Sequence, residues 1–218
     1  MNQSVRFHRY ITDSVLHRYL PPSMVERAAA GELRLDTPPE RRVLTVMFTD
    51  VVGFTPLTER LGPEAIGRLL DRYLAEIADL AHAHGATIDK FIGDCVMIVF
   101  GAPEELAPEE QARRCVALAA AIHKRVEELE MEHPLEARTG INTGEAVVGN
   151  FGSRARSDYT VLGPVVNVAA RLESAGLPGR ILMGQETARL LGDSVELEAA
   201  GELELKGVCE PVSAFFLA

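Results

Sequence analysis

The chain has 218 residues, of which 47% are hydrophobic and 25% charged, with 18 Gly and 12 Pro. These are globular values that exclude wholesale disorder, a collagen-like chain and a disulfide miniprotein; roughly two-thirds of the unfolded surface can be buried at this length without a metal or disulfide staple. The net charge of −10, from 32 acidic and 22 basic residues, argues against nonspecific nucleic-acid binding, although a few local cations or a bound metal can still draw an anionic substrate into one cleft.

No apolar run reaches the roughly 18 residues a membrane helix needs, so no membrane segment is expected in this chain. The first ten residues, Met1 to Tyr10, lack an apolar signal core. The cysteines, Cys95, Cys115 and Cys209, are odd in number and far apart, which predicts a reduced, cytoplasmic protein. The six histidines show no metal-ligand spacing; His82 and His84 do not share a helix face.

One domain preceded by a short segment is expected. Residues 1–41 read as an N-terminal helical arm and linker. Phe7, Tyr10, Ile11, Val15, Tyr19 and Leu20 recur at helical spacing up to Pro21-Pro22. Ser23 to Glu26 then has the capping-box form, and Thr37-Pro-Pro-Glu-Arg41 reads as a linker. The arm fits equally well as a segment packed on a partner or an upstream module, or as a loosely attached extension.

Residues 42–218 are mixed α/β. Val43–Phe48 is a buried strand by its β-branched apolar run. Pro63–His84 is an amphipathic helix stopped by Gly85, with Ile66, Leu69, Leu70, Tyr73, Leu74, Ile77 and Leu80 on one face. Ala86–Ile92 and Cys95–Phe100 are strands joined by Gly93-Asp94, a tight hairpin signal. A helix follows over Pro108–Leu129, then a strand-like stretch over Leu135–Val148 and a polar loop over Gly149–Ser157. Pro164–Ala175 is helical with Pro in its first turn, and the end alternates short strands with a helix near Gln185–Leu191. The β-α-β-β-α-β order predicts a ferredoxin-like α+β sandwich, with helices on one face of a mainly antiparallel sheet.

Asp50 follows the first strand and opens the turn Asp50-Val-Val-Gly-Phe-Thr55. A carboxylate there can hold a divalent cation while backbone N–H groups of the turn face a phosphate. Taken alone, Asp50 fits a turn aspartate bonded to nearby backbone at least as well. Asp94 sits at the hairpin tip, and a hairpin pairing beside a central first strand would bring it near Asp50. Two carboxylates plus phosphate oxygens suit Mg²⁺, and two ions so held can activate a hydroxyl and neutralise a polyphosphate. Spacing alone does not fix that convergence.

Three blocks carry a resemblance: Phe48-Thr-Asp-Val-Val-Gly-Phe-Thr55, Lys90-Phe-Ile-Gly-Asp94 and Thr160-Val-Leu-Gly-Pro-Val-Val-Asn-Val-Ala-Ala-Arg171. In order and spacing they resemble the signature of class III nucleotide cyclases, over about Arg42 to Ala218. The resemblance implies a head-to-tail homodimer that turns a nucleoside triphosphate into a 3′,5′-cyclic nucleotide and pyrophosphate with two Mg²⁺ or Mn²⁺ ions per site. It implies that Asp50 and Asp94 bind metal with the carbonyl of Val51, and that the backbone of Gly53, Phe54 and Thr55 binds phosphate. Lys90 and Thr160 match the base-reading positions. A Lys donor suits N1 of adenine, and a hydroxyl can accept from its 6-amino group, so ATP is the expected substrate. Many members carry Asp at the Thr160 position. The threonine form is similar to a subgroup described as bicarbonate-responsive, which carries an expectation of bicarbonate regulation.

Asn167 and Arg171, at i and i+4, share one helix face. The resemblance implies that Asn167 orients the ribose and Arg171 stabilises charge on the reacting phosphate, while Lys206 contacts the terminal phosphates. One departure is Glu145, where some members place an Arg that helps bind polyphosphate. In the family the metal carboxylates come from one subunit and Lys90, Thr160, Asn167, Arg171 and Lys206 from the other. Read without the resemblance, Lys90 and Lys206 are solvated strand lysines, Thr160 is a β-former, and Asn167 and Arg171 make a solvated helix face. The alternatives to an adenylate cyclase are a guanylate cyclase, which Lys90 disfavours, and a nucleotide-binding regulatory domain without catalysis, which the full residue set disfavours. A third candidate, a diguanylate cyclase or polymerase-palm relative, is disfavoured because this chain has no Gly-Gly-Asp/Glu-Glu-Phe run around the Gly93-Asp94 hairpin.

Overall fold

The computed structural model describes residues 38–129, 135–153 and 157–218, together with Val25. The arm expected over 1–41 therefore lies outside the described residues, apart from Val25, which is helical and buried, and residues 38–41. In chain order the elements are β1 (Glu40–Val51), α1 (Phe54–Leu61), α2 (Pro63–Ala83), β2 (Thr87–Ile92), β3 (Cys95–Phe100), α3 (Pro108–Glu127), β4 (Ala137–Gly152), β5 (Ser157–Leu162), α4 (Pro164–Ala175), β6 (Ile181–Gly184), α5 (Gln185–Leu191), β7 (Leu197–Leu203) and β8 (Val212–Leu217). The sheet runs β2-β3-β1-β4-β6-β8-β7, with β5 paired to β4 off that path. Among the described residues only β4 and β6 pair in parallel; the other pairs are antiparallel. The mixed α+β fold with a mainly antiparallel sheet is the one expected.

β1 is longer than its apolar run, beginning inside the expected linker at Glu40 and ending beyond Asp50. Its alternation explains the layers. Leu44, Val46 and Phe48 join a core with Val165 and Ala169 of α4. Met47 and Val51 face the opposite core, with Tyr73 and Ile77 of α2, Ile122 of α3 and Ala188 of α5. Strand β3 splits likewise, Met97 and Val99 to the first core and Val96, Ile98 and Phe100 to the second. Helices thus cover both faces, not one. A strand apolar at every position, as Val46-Met-Phe48 is, has both sides covered.

Threonines interrupt the apolar run on the α2/α3 side, and they are satisfied in register. Thr45 Oγ1 meets Thr143 Oγ1 at 2.9 Å and Thr49 Oγ1 meets Thr139 Oγ1 at 2.8 Å across the β1–β4 pair. His123 of α3 reaches Thr139 at 2.9 Å, so the buried hydroxyls have partners and this histidine has a structural one. The polar loop expected over Gly149–Ser157 is instead the tip of a hairpin: Gly149–Gly152 pair with β5, from Thr160 to Ser157. The expected turn after Gly53 is the helix α1. Its Pro56 lies in the first turn, where no intrahelical N–H bond is lost. Among the described residues no helix is long and apolar enough to cross a membrane.

Candidate active site

The end of β1 and the β2–β3 hairpin bring the two aspartates together. Gly93 has φ 68° and Asp94 does not have a positive φ, the pattern of a two-residue primed turn with Gly first. That turn aims Asp94 back at β1. Its Oδ2 accepts the backbone N–H of Val51, the neighbour of Asp50, at 3.3 Å. Burial, and further down the Asp50 charge, raise the Asp94 carboxyl above its ordinary value. Burial first, then Glu173, Asp50 and Asp94, push the Cys95 thiol up to about 12.

Asp50 lies within β1, not after it, opposite Arg138 of β4. Arg138 Nη2 donates to Asp50 Oδ2 at 3.0 Å, and Arg138 Nε donates to Glu173 Oε1 of α4 at 2.8 Å. Neither Arg138 nor Glu173 stood out in the sequence. They lie 35 positions apart, and their contact depends on how α4 docks. The other carboxylate oxygen of Asp50, Oδ1, is buried without a hydrogen-bond partner, as is the hydroxyl of Tyr73, a residue read from sequence only as part of an apolar face. Burial, then Asp94, Cys95 and Asp50, raise the Tyr73 hydroxyl well above its ordinary value. An orphaned carboxylate oxygen beside a second carboxylate fits a divalent cation. Among the described residues no group of three or more His, Cys, Asp or Glu gathers for a metal, so the remaining ligands of such a cation would be backbone, water and substrate oxygens.

Burial, with Asp50 beside it, pushes Glu173 from 4.5 up to about 7. Between those values the folded chain holds more protons than the unfolded one, so this group's contribution to stability falls as pH rises through the window. In Glu173→Gln the denaturation midpoint is expected to vary less over that window than in the wild type. Midpoints in urea at several pH values check this; parallel curves for the two proteins would refute it.

Gly53, at φ 73°, turns the chain into α1, so the N–H groups of Phe54 and Thr55 are the free first-turn donors of that helix. A Cβ at Gly53 would meet nothing within 4 Å, so this turn lies open.

The base-reading residues also meet. Lys90 Nζ donates to Thr160 Oγ1 at 3.3 Å although 70 positions separate them. A third residue, Asp89, joins them: Thr160 Oγ1 lies 2.8 Å from its Oδ1 and 2.9 Å from its Oδ2, and Lys90 Nζ lies 3.2 Å from its Oδ2. The register explains the cluster. Ile88 pairs with Ile98 but Lys90 pairs with Met97, leaving Asp89 as a bulge. The slip places Lys90 on the Met97 face, that of Val161, rather than the Ile98 face.

Asn167, Arg171 and Lys206 are exposed, the first two on α4 and the third in the β7–β8 connection, and none has a side-chain hydrogen bond or ion pair among the described residues. On an α-helix Arg171 and Asn167 lie roughly 200° and 240° around from Glu173. Since Arg138 ties Glu173 to Asp50, the face bearing Asn167 and Arg171 points away from the aspartates of its own chain. Glu145 pairs with exposed Arg41 at 3.3 Å, bordering a groove of about 470 Å³ that includes none of the expected site residues.

Residues 38–218 match the family model described as the adenylate and guanylate cyclase catalytic domain. The "Uncharacterized protein Rv1319c" of Mycobacterium tuberculosis is 38% identical over 178 residues, which are 81% of this chain and 31% of that protein. The chain thus spans about a third of the length of the curated relatives it matches. Among solved structures, the adenylyl cyclase CyaB from P. aeruginosa superposes with a TM-score of 0.81 and 41% identity, covering 84% of this chain and 96% of that one. The guanylyl cyclase Cya2 does so with a TM-score of 0.78 and 36% identity, covering 84% and 94%.

Proposed function

Because the chain belongs to the adenylate and guanylate cyclase catalytic-domain family, we propose that it is an adenylate cyclase that converts ATP to 3′,5′-cyclic AMP and pyrophosphate at sites shared between two copies in a head-to-tail homodimer. The observation that carries this reading is the opposed placement of its two residue sets. Asp50 and Asp94 converge at one end of the sheet, while Asn167 and Arg171 face outward from α4 without partners of their own. A second chain placed head to tail supplies each set with the other.

In the reaction the ribose 3′-oxygen attacks the α-phosphorus. The 3′-O–P bond forms, the bond to the β-phosphate oxygen breaks, pyrophosphate leaves and the 3′ proton is lost. Asp50, Asp94 and the Val51 carbonyl would hold two Mg²⁺ or Mn²⁺ ions, which when bound lower the cost of ionising the 3′-hydroxyl and offset the polyphosphate charge. The first-turn N–H groups after Gly53 face the phosphates. From the other chain, Asn167 positions the ribose, Arg171 meets charge that grows on the α-phosphate, and Lys206 meets the terminal phosphates. One donor aimed at developing charge is worth about 3–4 kcal/mol. Glu145, held by Arg41, takes no part in phosphate binding.

Lys90 with Thr160 supports ATP as the substrate. The likeness to the guanylyl cyclase Cya2 favours GTP as the second reading. Incubating the purified protein with ATP or GTP and Mn²⁺ and weighing the products decides between them. Cyclic AMP is expected in excess; cyclic GMP in excess would transfer the reading to guanylate cyclase, and neither product would leave a nucleotide-binding regulatory domain. Added bicarbonate at fixed pH is expected to raise the rate, and an unchanged rate rejects that part of the proposal.

A further inference from the structure

We propose that Asp89 is a positioning residue for base selection: it fixes the hydrogen-bond polarity of Thr160 and anchors Lys90, so that the pair takes a 6-amino purine and refuses a 6-oxo purine. This inference rests on the reading of Lys90 and Thr160 as the residues that meet the base.

Donors and acceptors decide the selection. A threonine hydroxyl is ambidextrous, able to donate to a 6-oxo group or accept from a 6-amino group. Left free, it selects neither. Here the Thr160 hydroxyl stands between a carboxylate, which can only accept, and an ammonium, which can only donate. Its one proton therefore goes to Asp89. One oxygen lone pair is engaged by Lys90, and what remains for a ligand is an acceptor. Lys90, bonded to Thr160 and paired with Asp89, keeps a further N–H to offer. The pair presents one donor and one acceptor in fixed places, matching N1 and the 6-amino group of adenine. A 6-oxo purine, with N1–H and an oxygen at position 6, meets like against like at both.

Asp89 is built for this task. Its side chain is only 3% exposed, whereas that of Lys90 is 46% exposed, so the carboxylate lies behind the two groups that would touch the base. It is the bulged residue of β2, and without the bulge the strand's alternation would put Asp89 and Lys90 on opposite faces. Many family members place an aspartate directly at the Thr160 position, where it can only accept. In this chain a carboxylate one layer back makes a threonine behave the same way.

The test compares ATP with inosine triphosphate, which exchanges the 6-amino for a 6-oxo group and leaves ribose and phosphates alone. In the isosteric variant Asp89→Asn the amide can donate to Thr160 and release the hydroxyl proton toward the ligand. The ATP-to-ITP ratio of kcat/KM is expected to fall by about tenfold or more. Adding Thr160→Asp, which restores an accept-only group and an anion beside Lys90, is expected to recover most of the ratio. Calorimetric binding of both nucleotides with Ca²⁺ gives the same ratio if turnover is lost. A wild-type ratio near one sinks the adenylate reading itself. A wild-type preference for ATP that Asp89→Asn leaves within twofold overturns the role of Asp89, and so does a fall that Thr160→Asp does not repair.

Discussion

Two variants that are each inactive, Asp50→Ala and Asn167→Ala, are expected to regain cyclase activity when mixed. Each alone leaves every site short of one essential group, so turnover falls by at least about a hundredfold. In a mixed dimer one site collects both defects and the other collects none, because the site that uses Asp50 of one chain uses Asn167 of the other. With random exchange about half the dimers are mixed, and half of their sites are intact, so recovery reaches about a quarter of the wild-type rate. The expectation follows from α4. Its inner face is held to Asp50 through Arg138 and Glu173, and Asn167 is exposed on the outer face, turned away from its own Asp50. Co-expression of differently tagged chains, tandem purification and an ATP assay give the answer. Activity that stays at the level of the separate variants would mean that the sites are not shared.

The parts of this site that sequence reading reached are those written in local pattern. The turn after Asp50 and the Gly93-Asp94 hairpin rest on glycines whose positive φ the structure shows, 73° and 68°. Asn167 and Arg171 lie in a helix whose ends, Pro164 and Ala175, follow from its N-terminal proline and apolar spacing. What escaped depends on long-range docking or on a single-residue slip. Asp89 carries no signal of its own beside Lys90, and nothing local announces the bulge that turns both toward Thr160. Arg138 and Glu173 meet only because α4 covers the face of β1 opposite α2 and α3. That second covered face was written in the consecutive apolar residues Val46-Met-Phe48 of β1, which one covered face would not require.

Gly140→Ala is expected to be among the most damaging single-methyl changes in the domain, and Gly144→Ala, four residues along the same strand face, to be nearly silent. A Cβ at Gly140 would lie 2.0 Å from the backbone nitrogen of Glu173, 2.5 Å from the carbonyl oxygen of Ala169 and 2.6 Å from the Glu173 Cα. All three are backbone atoms of α4, so no side chain can rotate aside and the helix itself has to lift. At Gly144 the nearest atoms are side-chain carbons of Val165 at 3.6 Å, an ordinary contact. Neither glycine has a positive φ, so the contrast is one of space alone. Overpacking costs about 1–3 kcal/mol where side chains can yield, and a clash with rigid backbone belongs at or beyond the upper end. Displacing α4 also breaks the Arg138–Glu173 bond and shifts Asn167 and Arg171 against the second chain, so activity falls even in the fraction that stays folded. Thermal unfolding and the cyclase assay on both variants test the pair. Equal melting temperatures would show that β4 and α4 are not packed as closely as the 2.0 Å approach demands.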